Sequence, residues 1–209
     1  MNIEIQWPGR KRILLRQKLC LLLLIAALLA MPLRNAAQSK PQQSAITIHV
    51  SKSGLFSGFA HNHIVVAPIN HATVDPAHLS AEITVVSKEM KVTDPEVSEK
   101  DRAEIQSTML GPKVLDHEKY PEIHFKSSHI EQTSPQHYRV AGTLELHGTK
   151  REITLEVTGG AEHYHGATKL KQSDFGIKPI SLGGGSIKVK DELELEFDVY
   201  TTEPARDVR

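Results

Sequence analysis

Cysteine is almost absent from this chain. The single example, Cys20, lies at the start of an apolar run, so no disulfide can form within the protein. Aromatic residues make up only 5% of the sequence, too few for the stacking platforms that hold single-stranded nucleic acids. The G-x-S-x-G elbow of serine hydrolases and the H-E-x-x-H pair of zinc proteases do not occur, which removes two common hydrolase signatures. There is also no excess of positive charge, with 25 basic residues against 25 acidic ones. The balance is uneven along the chain. Residues 1–37 hold six basic side chains (Arg10, Lys11, Arg12, Arg16, Lys18, Arg34) and one acidic one (Glu4), leaving 19 basic against 24 acidic in the remainder. A net acidic domain lacks the basic face that phosphate binding requires, so no nucleic-acid partner is expected.

Long hydrophobic runs are scarce as well. The one apolar run, residues 19–33, is 15 residues long, short of the roughly 20 needed to span a bilayer as a helix. It follows the cationic stretch RKRILLRQK (10–18), ends at Pro32, and precedes small residues at 35–37. This order of cationic, apolar and small-residue regions predicts a cleavable signal peptide over residues 1–37, and hence a periplasmic or secreted protein. An uncleaved membrane anchor is the alternative. Residues 38–44 read as a polar linker, and a single domain is expected over 45–203.

What the chain has in quantity is period-two alternation. Ile153, Leu155 and Val157 alternate with polar residues, as do Leu193, Leu195, Phe197 and Val199. Segments 45–50, 81–86, 122–128 and 138–148 follow the same rule. Such patterning predicts half-buried strands of an antiparallel sheet, about eight in number. Gly- and Pro-bearing turns at 133–136, 147–150, 159–160 and 183–185 separate them. Residues 94–111 break the pattern and predict a helix of roughly 12 residues, with Asp94 as cap, Pro95 in the first turn and Gly111 as stop. Val97, Ile105 and Met109 would form its apolar stripe. A further helical turn is expected over 113–119. Closing the sheet into a barrel removes its edges, and a sandwich is the competing arrangement. The inward set is poor in large aromatics, which suits unfilled space.

Two histidines flank Asn62 in the stretch FAHNHIV (59–65). If it is extended, Phe59, His61, His63 and Val65 share one face. The imidazoles suit a transition metal or haem iron, a hydrogen bond to a bound headgroup, or a purely structural role. His49, His71, His163 and His165 are the further metal-ligand candidates.

The segments VLDHEKYPEIHFKSSHI (114–130), YRVAGTLELHGTKREITLEV (138–157), SDFGI (173–177) and VKDELELEFDV (189–199) resemble, in order and spacing, the YceI-like family of exported polyisoprenoid-binding proteins. The resemblance runs over about residues 45–202. It implies an all-β, antiparallel, lipocalin-like barrel with a short helical insertion and an elongated apolar tunnel. It also implies a binding protein rather than an enzyme, whose ligand is an isoprenoid lipid such as a polyprenyl chain or a quinone tail. No catalytic residue and no certain cofactor come with it. The expected ligand-binding residues are Phe59, His61 and His63 at the mouth. Inside, they are Ile123, Phe125, Leu144, Leu146, Phe175, Leu195 and Phe197. Loading through transient membrane contact fits this reading. The alternative is a periplasmic metal- or haem-binding protein built on His61 and His63.

Overall fold

A computed structural model describes residues 42–53, 62–160, 162–182 and 187–201, all within one compact unit, Pro41–Arg209. The predicted signal peptide, residues 38–41 of the linker, Phe59, His61 and the 183–185 glycines lie outside the described residues.

Thirteen strand segments and one α-helix are present among the described residues. The strands are β1 (Ala45–Val50), β2 (Lys52–Ser53), β3 (His63–Pro68), β4 (His71–Asp75), β5 (Ser80–Val86), β6 (Lys91–Val92) and β7 (Glu122–Ser134). They continue with β8 (His137–Leu146), β9 (Thr149–Gly160), β10 (His163–Lys171), β11 (Ser181–Leu182), β12 (Ile187–Val189) and β13 (Glu192–Tyr200). The helix α1 covers Glu99–Leu110.

The main sheet is antiparallel throughout, in the order β4-β5-β7-β8-β9-β10-β13-β1-β3-β6. Its two ends belong together. β3 and β4 are halves of one strand bent at Ile69 and Asn70, and β5 leads into β6 through a 3-10 turn at Ser87–Glu89. β4 pairs with β5 and β3 pairs with β6, so the ladder runs round a ring of eight strand positions. The corner is held on both sides. The Ile69 amide donates to the Ser44 carbonyl, the Asn70 amide donates to the Thr84 carbonyl, and Asn70 Oδ1 accepts the Val86 amide at 2.7 Å. Ser44, read as linker, is therefore part of the barrel, and its hydroxyl oxygen also accepts the Tyr200 amide. A small sheet, β11-β12-β2, stands apart.

The turns obey the expected chemistry. β8 and β9 are joined by His147 and Gly148, both at positive φ (51° and 70°), the conformation of a type I′ hairpin that matches strand twist. The segment 172–175 is a 3-10 turn ended by Gly176 in the left-handed region at φ 75°. It seats Phe175, which is 2% exposed, in the core.

The helical insertion departs from expectation at its start. Ser98, not Asp94, caps α1, its side chain accepting the Asp101 amide at 3.1 Å. Val97 precedes the helix and is buried, while Ile105 and Met109 pack half-buried on the core. No helical residue is fully buried, and polar bonds do much of the attachment. Gln106 donates to the Met90 carbonyl at 2.7 Å and accepts the Val92 amide at 2.8 Å, extending the sheet edge at β6. Residues 113–119 form successive turns instead of a helix, with the Lys119 and Tyr120 amides both donating to the Asp116 carbonyl.

Candidate functional site

The inner face of the ring is set by the alternation in each strand. Ile48, Val65, Val85, Phe125, Val140, Leu144, Leu155, Val157, Phe197 and Val199 are buried in one apolar cluster that also includes Phe175. Two of its rings lie over glycines. A Cβ at Gly166 would stand 2.3 Å from Phe197 Cζ, and one at Gly142 would stand 2.6 Å from Phe125 Cζ. Bare backbone at these positions lets each ring lie against the wall, a cross-strand packing that offsets the missing side chain.

The same face carries aliphatic side chains that the cluster does not cover. Ile46, Ile83, Ile123, Ile153, Leu170, Leu193 and Leu195 pack against the core yet are only half-buried. Tyr138 and Tyr164 meet edge to face at 6.2 Å. Burial, followed by the charge of Tyr138, raises the Tyr164 pKa above its ordinary value.

Clefts open at the strand ends, among them two lined by described residues. The smaller, about 290 Å³, reaches Ile153, Leu170 and Phe175. The larger, about 510 Å³, lies where β1 ends and β3 begins, between Val50, Asn62, His63 and the 94–97 segment. His63 shares the inward face of β3 with Val65 and Ala67, both buried. Its Nδ1 lies 2.6 Å from Oδ2 of Asp94, while Asp94 Oδ1 accepts the Ile64 amide at 2.6 Å. Asp94 is 3% exposed and His63 is 23% exposed. Arg102 from α1 donates to the Asp94 carbonyl, which ties the helix to the same corner.

Of the ten residues expected to bind ligand, seven come together. Ile123, Phe125, Leu144, Leu146, Phe175, Leu195 and Phe197 all belong to the single apolar cluster or pack on it. His63 stands apart at the rim, and Phe59 and His61 lie outside the described residues. Sequence reasoning missed Asp94, because Asp-Pro ahead of a charged stretch reads as a helix cap. The clue was His63 itself. A histidine in phase with Val65 and Ala67 faces inward and needs a polar partner.

The other histidines are dispersed. His163 Nε2 and His165 Nδ1 both contact Asp198 Oδ1, at 2.7 and 3.2 Å, and His163 stacks on Tyr200. His71 bonds Thr73, and His49 lies opposite Glu194 in the β1–β13 ladder. Among the described residues no three His, Cys, Asp or Glu side chains are arranged to hold a metal ion.

Comparison with known proteins agrees with the architecture. A UPF0312 protein of Vibrio cholerae (strain M66-2) is 29% identical over 132 residues, covering 58% of this chain and 66% of the relative. A UPF0312 protein of Pseudomonas syringae pv. syringae is 29% identical over 108 residues, covering 47% and 54%. The chain thus spans about half to two thirds of the length of these relatives. Among solved structures, Burkholderia cenocepacia BcnA superposes with a TM-score of 0.54 at 19% identity, over 76% of this chain and 96% of that one. A mutant Campylobacter jejuni YceI protein superposes with a TM-score of 0.51 at 18% identity, over 67% and 81%. These two share the fold. The YceI-like domain model matches residues 38–201, and with that match over most of its length the chain belongs to the YceI-like family.

Proposed function

We propose that this protein is an exported carrier that holds an isoprenoid lipid, a polyprenyl chain or quinone tail, inside its barrel. One observation carries the reading. Seven large aliphatic residues on the inner face, Leu193 and Leu195 among them, are left half-buried. A barrel filled by its own side chains would cover them. An apolar chain laid along this wall would cover them as well. Each buried CH₂ contributes about 0.8 kcal/mol, offset by ordering and association costs. An apolar wall of this kind needs no directed bonds, so selectivity would rest on length and on the rim groups.

Residues 1–37 would direct export and be removed, and the lipid would be taken up through transient contact with a membrane. The role is binding without catalysis. The test is native mass spectrometry of the mature protein recovered from the cell envelope, with lipid extraction and metal analysis of the same sample. A bound mass that is lost on denaturation and extracts as an isoprenoid supports the carrier. Lipid-free protein that is stoichiometric in metal or haem overturns it in favour of the histidine-centred alternative. The carboxylate behind His63 suits that alternative too, because metal-ligating histidines are commonly oriented in this way.

A further inference from the structure

The imidazole at the rim has two nitrogens with different surroundings. Asp94 contacts Nδ1 of His63 through Oδ2 and is turned by the Ile64 amide on Oδ1. A carboxylate only accepts hydrogen bonds, so Nδ1 is the donor, and Nε2 of the neutral ring is left as an acceptor. Among the described residues Nε2 has no partner, and no side-chain nitrogen or oxygen is buried without one. Nε2 is therefore open, and His63 is one of the residues that line the 510 Å³ cleft. Val50 lines the same cleft and packs on the apolar cluster, so this acceptor stands where the apolar wall ends.

The charges around it select further. The cleft wall carries Asp94, Glu96 and Glu194 against Lys52, and Glu194 is paired with Lys169. Lys190 also acts on Glu194, so carboxylates and lysines about the cleft nearly balance and offer a phosphate or carboxylate head no surplus of positive charge. We infer that the cleft takes the uncharged, hydrogen-bond-donating end of an apolar chain, an alcohol or quinol hydroxyl, whose O–H is donated to His63 Nε2. This rests on the carrier reading and adds the chemistry of the ligand's polar end.

The test uses the protein as the cell makes it, stripped of lipid, at pH 8. Geranylgeraniol, its methyl ether and geranylgeranyl pyrophosphate compete in equal amounts, and native mass spectrometry reads the bound ratio. The alcohol is expected to exceed the ether by about 2- to 10-fold, the worth of one hydrogen bond. Asp94→Asn supplies the control. Its Oδ1 can still accept the Ile64 amide, which turns the NH₂ toward Nδ1 and moves the ring proton to Nε2. The alcohol-to-ether ratio should then fall to about one while both lipids still bind. Long-range ¹H–¹⁵N correlation spectra of the His63 ring report the same tautomer change directly. Equal retention of alcohol and ether by the unmodified protein, preference for the pyrophosphate, or an Nε2–H tautomer in that protein overturns the inference and leaves the carrier standing. Failure to retain any of the three lipids overturns the carrier reading itself.

Discussion

Gly166 on β10 lies directly opposite Phe197 on β13, and a single added Cβ would come within 2.3 Å of the phenylalanine ring. The pair shows how this barrel handles its few aromatics. Phe197 and Phe125 each lie over a strand that gives up a side chain, at Gly166 and Gly142.

Replacing Gly166 by Ala should therefore destabilise the barrel by about 1–3 kcal/mol, the usual cost of overpacking a close contact. Backbone also approaches, with the Glu156 carbonyl oxygen 2.7 Å from the same Cβ position. Urea unfolding checks the loss. Adding Phe197→Leu should recover part of it, because the ring is the nearest obstacle.

Gln106 spans the gap between α1 and β6 with both ends of its amide. Gln106→Ala leaves the Val92 amide and the Met90 carbonyl to find other partners. The expected loss is about 1–3 kcal/mol if they stay dry. Hydrogen exchange gives the local readout. The Val92 amide should exchange faster in the variant, whereas amides of the β7–β8 ladder should change only as global stability does.

Asp191 holds the 3-10 turn that seats Phe175. The Ser173 hydroxyl donates to its Oδ2 at 2.6 Å, and the Ser173 amide donates to its Oδ1 at 2.8 Å. These bonds, the side-chain one first, lower its pKa below the ordinary 3.8. A depressed folded-state pKa contributes stability that is present above the unfolded value and is lost as pH falls through the folded one. Asp191→Asn should lower Tm near neutral pH, and the difference from the unmodified protein should shrink as pH drops below 3.8. Thermal melts between neutral pH and pH 2 test this. A difference that does not vary with pH would sink the assignment.

Leu195 tests the lumen directly. It faces inward between Leu193 and Phe197 and is only half-buried. Leu195→Trp should fold with a cost below about 3 kcal/mol and lose retained lipid, because the indole would occupy the ligand's space. A variant that unfolds would instead mean that the interior is already full.

Much of the fold was readable from alternation alone. β1, β5, β7, β8, β9 and β13 all lie where apolar residues recur every second position, since strand side chains alternate between a dry and a wet face whatever the partner strand. β10 escaped because its inward positions are Tyr164, Gly166, Thr168 and Leu170. Gly166 looks like a break in the pattern until Phe197 is placed over it. The corner at His63 was half-visible. His63 was singled out, but its partner Asp94 lies 31 residues away, and local sequence offers a cheaper use for an aspartate before a proline.

The sequence by itself determined the class of the protein: an antiparallel β domain, net acidic, with an inward face of aliphatic residues and a helix of about 12 residues within 94–111. Those properties follow from side-chain periodicity and local backbone preference, although the expected start of the helix, at Asp94 and Pro95, lay about four residues too early. Only the tertiary structure decided how the ring closes at Ile69 and Asn70, which glycines seat the two phenylalanines, and that Asp94 turns toward His63. Each of these depends on residues far apart in the chain meeting at hydrogen-bond or van der Waals distance, and no local pattern records such a meeting.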